Sequence, residues 1–228
     1  MKSQLYLWQP LMEKHKKQLS LVEDYYYRTR IVFEGIGKES EDYSKSQYLN
    51  YTLKEGTDPS LVSIWAIQQG TEMLETLSIM KYNHLLMTIS MLYHIWEQQM
   101  IITIHKLPSI IELDKKGSNI NKFKTIFKSH GINIQDKAWK CIWELTQLVN
   151  TIKHGEGDSA DKLRALRPDF FDLSFISDAA DSLKLNGAVL LDDFSLQVEE
   201  RDLVNYIYST KSFWNEMQSE LIQMERPH

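Results

Sequence analysis

Residues 136–155 read DKAWKCIWELTQLVNTIKHG, and this stretch decides the fold class. Ala138, Ile142, Leu145, Val149 and Ile152 recur at steps of three and four, the period of a helix laid on a core. Gly155 and Gly157 then stop the helix with a glycine C-cap. A second face carries Trp143, Gln147, Asn150 and His154, related by steps of four, three and four. The helix therefore presents a polar strip as well as an apolar one. His154 stands in its last turn, and Lys153 precedes it. A histidine near its ordinary titration range can give or take a proton in phosphodiester chemistry. The plainer alternative is structural punctuation, since Lys and His before a glycine commonly close a helix.

Upstream, the pattern is helical from Pro59 to Lys106, with Asp58 as N-cap and interruptions only at Gly70 and near Asn83. This predicts one long kinked helix or two in series. Leu85, Ile89, Leu92, Trp96 and Met100 form its buried stripe, thickened by Met87, Met91 and Ile95. A helix is expected up to about Gly35, with Leu11, Leu19, Val22, Tyr26 and Val32 inward, and then a loose polar stretch to Gly56. Downstream of the motif helix, SADKLRAL forms a short helix and RPDFFDLSF a connector. Residues 186–198, NGAVLLDDFSLQV, resemble a small β-hairpin, and a last helix covers about 199–225, with Leu203, Ile207, Trp214, Met217 and Leu221 inward. The expectation is a mostly α, single-domain bundle over residues 1–228. It divides into an N-terminal helical segment (1–56), a core (59–170) and the C-terminal helix.

Composition narrows the function classes. Nine glycines and five prolines in 228 residues favour long helices over turn-rich β architecture. One cysteine, Cys141, excludes an internal disulfide and suits a reducing compartment. The start MKSQLYLWQPLMEKHKK has no apolar signal core, and the apolar run 85–104 carries His94, Glu97, Gln98 and Gln99, so a cytoplasmic protein with no membrane span is expected. The net charge of −5 argues against a dedicated nucleic-acid packager. The local exception is KKGSNINKFKTIFKSHG (115–131), where Lys122, Lys124 and Lys128 offer either a solvated helix face or an RNA-backbone patch. His94 and Glu97 stand three apart with His105 beyond them, but no second pair completes a metal site, and no phosphate loop or zinc pattern is present. No metal and no cofactor are expected. Tyr25, Tyr26 and Tyr27, followed by Arg28 and Arg30, can stack on bases or pack one helix on another.

The run Asn150-x-x-Lys153-His154-Gly155 at the end of an amphipathic helix resembles the signature of HEPN domains, in which an Arg is followed four to six residues later by His. LYHIWEQQM resembles an early helix of that family, which places Glu97 opposite the motif helix. The likeness covers roughly residues 80–170. It implies a helical bundle that forms a homodimer through the motif helices. It also implies a metal-independent endoribonuclease of a toxin–antitoxin or phage-defence system, with an antitoxin or defence protein as a further partner. In that reading His154 promotes attack of the ribose 2′-OH, with Asn150, Lys153, Glu97 and Gln147 around it. Non-catalytic members of the family implied by the same likeness dimerise or bind partners. The chain departs from the pattern where the Arg belongs, because positions 147–149 are Gln147, Leu148 and Val149. Gln147 donates hydrogen bonds but carries no charge. Lys153, Arg164 and Arg167 are the cations that can stand in for it, and the two arginines join the lysines as RNA-binding candidates.

Overall fold

The structure, a computed structural model, describes residues 5–52, 58–106, 120–172, 181–186 and 195–224. Among the described residues it is helical with no strand. Helix α1 (Leu5–Thr29) continues into a 3-10 turn (Arg30–Phe33). Then come α2 (Ile36–Asn50), α3 (Pro59–Ile104), α4 (Ile120–Ser129), α5 (Asp136–His154) and α6 (Asp158–Leu166). A 3-10 turn (Pro168–Phe171), the short α7 (Ser182–Asn186) and α8 (Glu200–Met224) complete the order. No described helix is long and apolar enough to cross a membrane.

The body is built where apolar stripes meet. Trp8, Met12, Leu19, Val22 and Tyr26 give α1 one buried face, and His15 joins them there. That face packs on α3 and α8. Lys16 reaches Asn215 and Gln218 while Tyr26 and Arg30 reach Glu200, so α8 runs antiparallel to α1. The centre is aromatic: Phe213 meets Trp96 and Trp139 edge-on, with ring centroids 5.4 Å and 5.0 Å away. The expected inward residues of α8 are all buried, as are Ala138, Ile142 and Leu145 of α5 and the Leu85–Met100 stripe of α3.

Helix α3 is one continuous element of 46 residues. Asp58 caps it by accepting from the Ser60 backbone N–H at 2.8 Å, with Pro59 at the first helical position. Gly70 does not break it. A Cβ there would stand 2.7 Å from the Ser44 Cβ and 2.9 Å from the Ser40 carbonyl, so glycine is what lets α2 lie close. The stretch expected to be loose is therefore mostly a helix, α2. Its sequence is polar on nearly every side, which hid it, and its partner is a face of α3 made of small residues. Gly35, at φ 82°, supplies the left-handed turn that starts it.

Two expected inward residues face solvent instead: Val32, in the 3-10 turn, and Met87, on the outer side of α3. Of the expected hairpin at 186–198, residues 187–194 lie outside the described residues, and 195–198 are neither helix nor strand.

Candidate functional site

Helix α5 rests on α3 and α8, and α6 folds back against it. Three residues of its polar strip, Trp143, Gln147 and Asn150, consequently border a cavity of about 540 Å³. Trp143, Gln147, Asn150 and Lys153 of α5 line that cavity, with Tyr93, His94 and Glu97 of α3, Asn121 of α4, and Ser159 and Lys162 of α6. The turn after α5 is what closes the near wall. Gly155 ends the helix at φ 74°, its N–H bonded to the Thr151 carbonyl at 2.8 Å, and Gly157 at φ 149° starts α6.

The electrostatics of the cavity centre on Glu97. Burial raises its pKa, while His94, whose Nδ1 lies 4.0 Å from the carboxylate, and Lys153 pull it back down. Tyr93 is raised by burial, opposed by a hydrogen bond with Thr146. The Lys162 ammonium stands 6.0 Å from the centroid of the Trp143 ring. Gln147 is 3% exposed and its side-chain amide has no partner among the described residues, so its donors and acceptor are available to whatever enters.

Four of the five candidates from the sequence thus meet at one cavity: Glu97, Gln147, Asn150 and Lys153. His154 does not line it. The imidazole is exposed at the helix end, with no side-chain partner among the described residues.

The candidate phosphate ligands divide. Arg164 is held by Glu156, Asp161 and Asp181, and Glu156 most, then Asp181, raise its pKa against the opposing effect of burial. Arg167 stacks 3.7 Å over the Phe170 ring and is bound by Glu144 at 3.0 Å, Asp202 at 2.9 Å and Asp169 at 2.7 Å. Burial alone would lower its pKa, but those hydrogen bonds carry it upward. Both guanidinium groups tie elements of the fold together. Lys124 pairs with Asp136 at 3.0 Å, Lys122 is also engaged, and Lys128 is exposed. Tyr26 is buried, stacks on His84 and donates to Glu200, which assigns it to packing. Among the described residues no group of three His, Cys, Asp or Glu side chains is arranged to hold a metal.

Sequence reasoning missed Tyr93, Asn121 and Lys162. Tyr93 had a signal, standing one turn before Glu97 on the same face. Asn121 and Lys162 had none, because only the docking of α4 and α6 brings them in. No protein-family model matches the chain, and no curated protein or solved structure is detectably similar to it.

Proposed function

We propose that the chain is a HEPN-like endoribonuclease that cleaves without a metal and works in the cytoplasm within a toxin or phage-defence system. One observation carries this reading. Glu97, Gln147, Asn150 and Lys153 converge on one cavity at the glycine-terminated end of α5, and His154 stands exposed at that same end. In this mechanism His154 accepts the proton of a ribose 2′-OH, and the freed oxygen attacks the adjacent phosphorus. The bond to the 5′ oxygen breaks, that oxygen takes a proton from water, and His154 returns its own proton to the solvent. The products are a 2′,3′-cyclic phosphate and a 5′-hydroxyl. Lys153 neutralises a phosphate oxygen as a point charge, and the amides of Gln147 and Asn150 orient the backbone. A positioned acid–base group contributes ~10²–10⁴-fold, so His154→Ala should lose activity in that range with chelator present. Lys153→Ala should lose less, and in a salt-dependent way. The assay is purified protein with mixed cellular RNA, read for cyclic-phosphate ends. Equal cleavage by wild type and His154→Ala would overturn the reading.

A second reading, a non-catalytic HEPN-like binding module, is favoured by one specific observation. Arg164 and Arg167 are consumed by internal ion pairs, and position 147 is neutral, so among the described residues no arginine lines the cavity. No cleavage by either protein would select it.

A further inference from the structure

The cavity beside α5 combines a neutral buried amide, a half-buried carboxylate, two aromatic rings and two exposed ammonium groups. Gln147 is 3% exposed, and its amide has no partner among the described residues. A buried primary amide left unpaired is uncommon, because it forgoes the hydrogen bonds that water would give it. Gln99 also leaves its amide oxygen without a partner, but that atom is sealed in the interior, whereas Gln147 borders open space. Glu97 lines the same cavity with its side chain 24% exposed, and His94 Nδ1, at 4.0 Å, is beyond hydrogen-bond reach of its carboxylate. Trp143 and Tyr93 add ring surface to the wall. Lys153 and Lys162 are exposed at the rim, the Lys162 ammonium 6.0 Å from the centroid of the Trp143 ring.

Each feature rejects a class of ligand. A free phosphate or sulfate would meet a neutral amide and a carboxylate inside, with cations only at the rim. A purely apolar ligand would leave the Gln147 amide and the Glu97 carboxylate with neither partner nor water. The occupant these groups select is planar, to lie against an aromatic ring. It carries hydrogen-bonding groups of both kinds on one edge and an anion at its other end. A nucleotide entering base first has that form. The volume, about 540 Å³, lies within the ~300–1,000 Å³ of small-ligand sites.

We propose that this cavity is a guanine-selective base subsite. Its place in the reaction, on the 5′ side of the cleaved bond, rests on the ribonuclease reading above. Guanine presents one acceptor, O6, beside two donors, N1–H and the 2-amino group. The Gln147 amide donates to O6, and the Glu97 carboxylate accepts from both donors. Adenine and cytosine present an unprotonated ring nitrogen where Glu97 needs a donor, and uracil presents a second carbonyl oxygen beside its single N–H. Each of these turns a lone pair on the carboxylate. Asn150, Lys153 and His154 follow Gln147 along α5, His154 at a rise of ~10 Å, comparable with the length of a nucleotide. Gln147 thus orients the backbone through the base it holds.

Saturation-transfer NMR and calorimetry on the full chain, with the four nucleoside 3′-monophosphates, test base selection without any cleavage. Guanosine 3′-monophosphate should bind at least ~10-fold tighter than the other three, because a wrong edge leaves Glu97 unpaired. Inosine 3′-monophosphate, which lacks the 2-amino group, should bind several-fold more weakly than the guanosine nucleotide to the same unaltered protein. Glu97→Gln should abolish the guanine preference, and Gln147→Leu should weaken guanosine binding, both with helix content unchanged by circular dichroism. Equal binding of the four nucleotides, preference for another base, or no binding at millimolar concentration would each overturn the proposal. RNA cut without regard to guanine would overturn it too, yet leave the ribonuclease reading intact. Guanine-selective binding by a chain that cuts no RNA would support the subsite and overturn the ribonuclease reading alone.

Discussion

At the scale of single residues, His15 shows how the interior constrains protonation. Its Nε2 lies 3.2 Å from the Thr103 hydroxyl, and that hydroxyl already donates to the Gln99 carbonyl at 2.8 Å. Thr103 can therefore only accept, so Nε2 carries the proton and Nδ1 is a bare acceptor. Nδ1 is buried without a partner, and Trp214 packs against the ring at 4.6 Å. Burial lowers the pKa from 6.5 to about 4, with nearby Lys14 adding to the effect and Gln18 opposing it. In the unfolded chain the same ring takes a proton near its ordinary value. The neutral form's contribution is thus complete above about pH 6.5, erodes as pH falls, and is gone near pH 4. The loss amounts to ~3 kcal/mol at most. Urea unfolding at pH 7, 5.5 and 4.5 should show a steeper acid decline in wild type than in His15→Leu, which removes the titrating group. Parallel declines in the two proteins would mean that His15 does not report the acid limit.

At the scale of elements, Gly70 controls whether α2 docks. Alanine there gains up to ~1 kcal/mol of helix propensity. Its Cβ nevertheless meets the Ser40 carbonyl, a backbone atom that moves only if the whole helix moves. Overpacking of this kind costs ~1–3 kcal/mol, so Gly70→Ala should loosen α2 on balance. Limited proteolysis of the α2 segment should quicken, and an unchanged rate would show that the helices have room to part. The same pair explains what could be read from sequence. Helix α5 was legible because its apolar period, its polar strip and its glycine stop all agree. The Asp58–Pro59 start of α3 was legible because capping is local chemistry. Helix α2 was not, since its residues have no apolar period and its reason to be helical is the glycine on α3. The site divides along the same line. Gln147, Asn150, Lys153 and Glu97 share faces fixed by helical spacing. Two of the three carboxylates that hold Arg167, Glu144 and Asp202, come from α5 and α8 and meet only after folding. No local pattern announces a residue whose partners lie 23 and 35 positions away.

At the scale of the whole molecule, α3 belongs to two neighbourhoods of unequal strength. The contiguous core runs from Trp8 on α1 to Leu221 on α8 and takes in α3 only from Leu85 onward. Val62 and Ala66 are buried against α2 yet stand apart from that core. Every backbone group of α3 has the same helical geometry, so helix formation alone gives no reason for one half to open before the other. Packing does give one, because opening free energy follows the apolar contacts that must be broken. The arm that α2 makes with the first half of α3 buries few and small side chains, whereas the second half of α3 buries Trp96, Met100 and five aliphatic residues. Amide hydrogens of α2 and of residues 59–80 should exchange at least ~100-fold faster than those of 85–104. Uniform protection along α3 would show that the arm is held as firmly as the body itself.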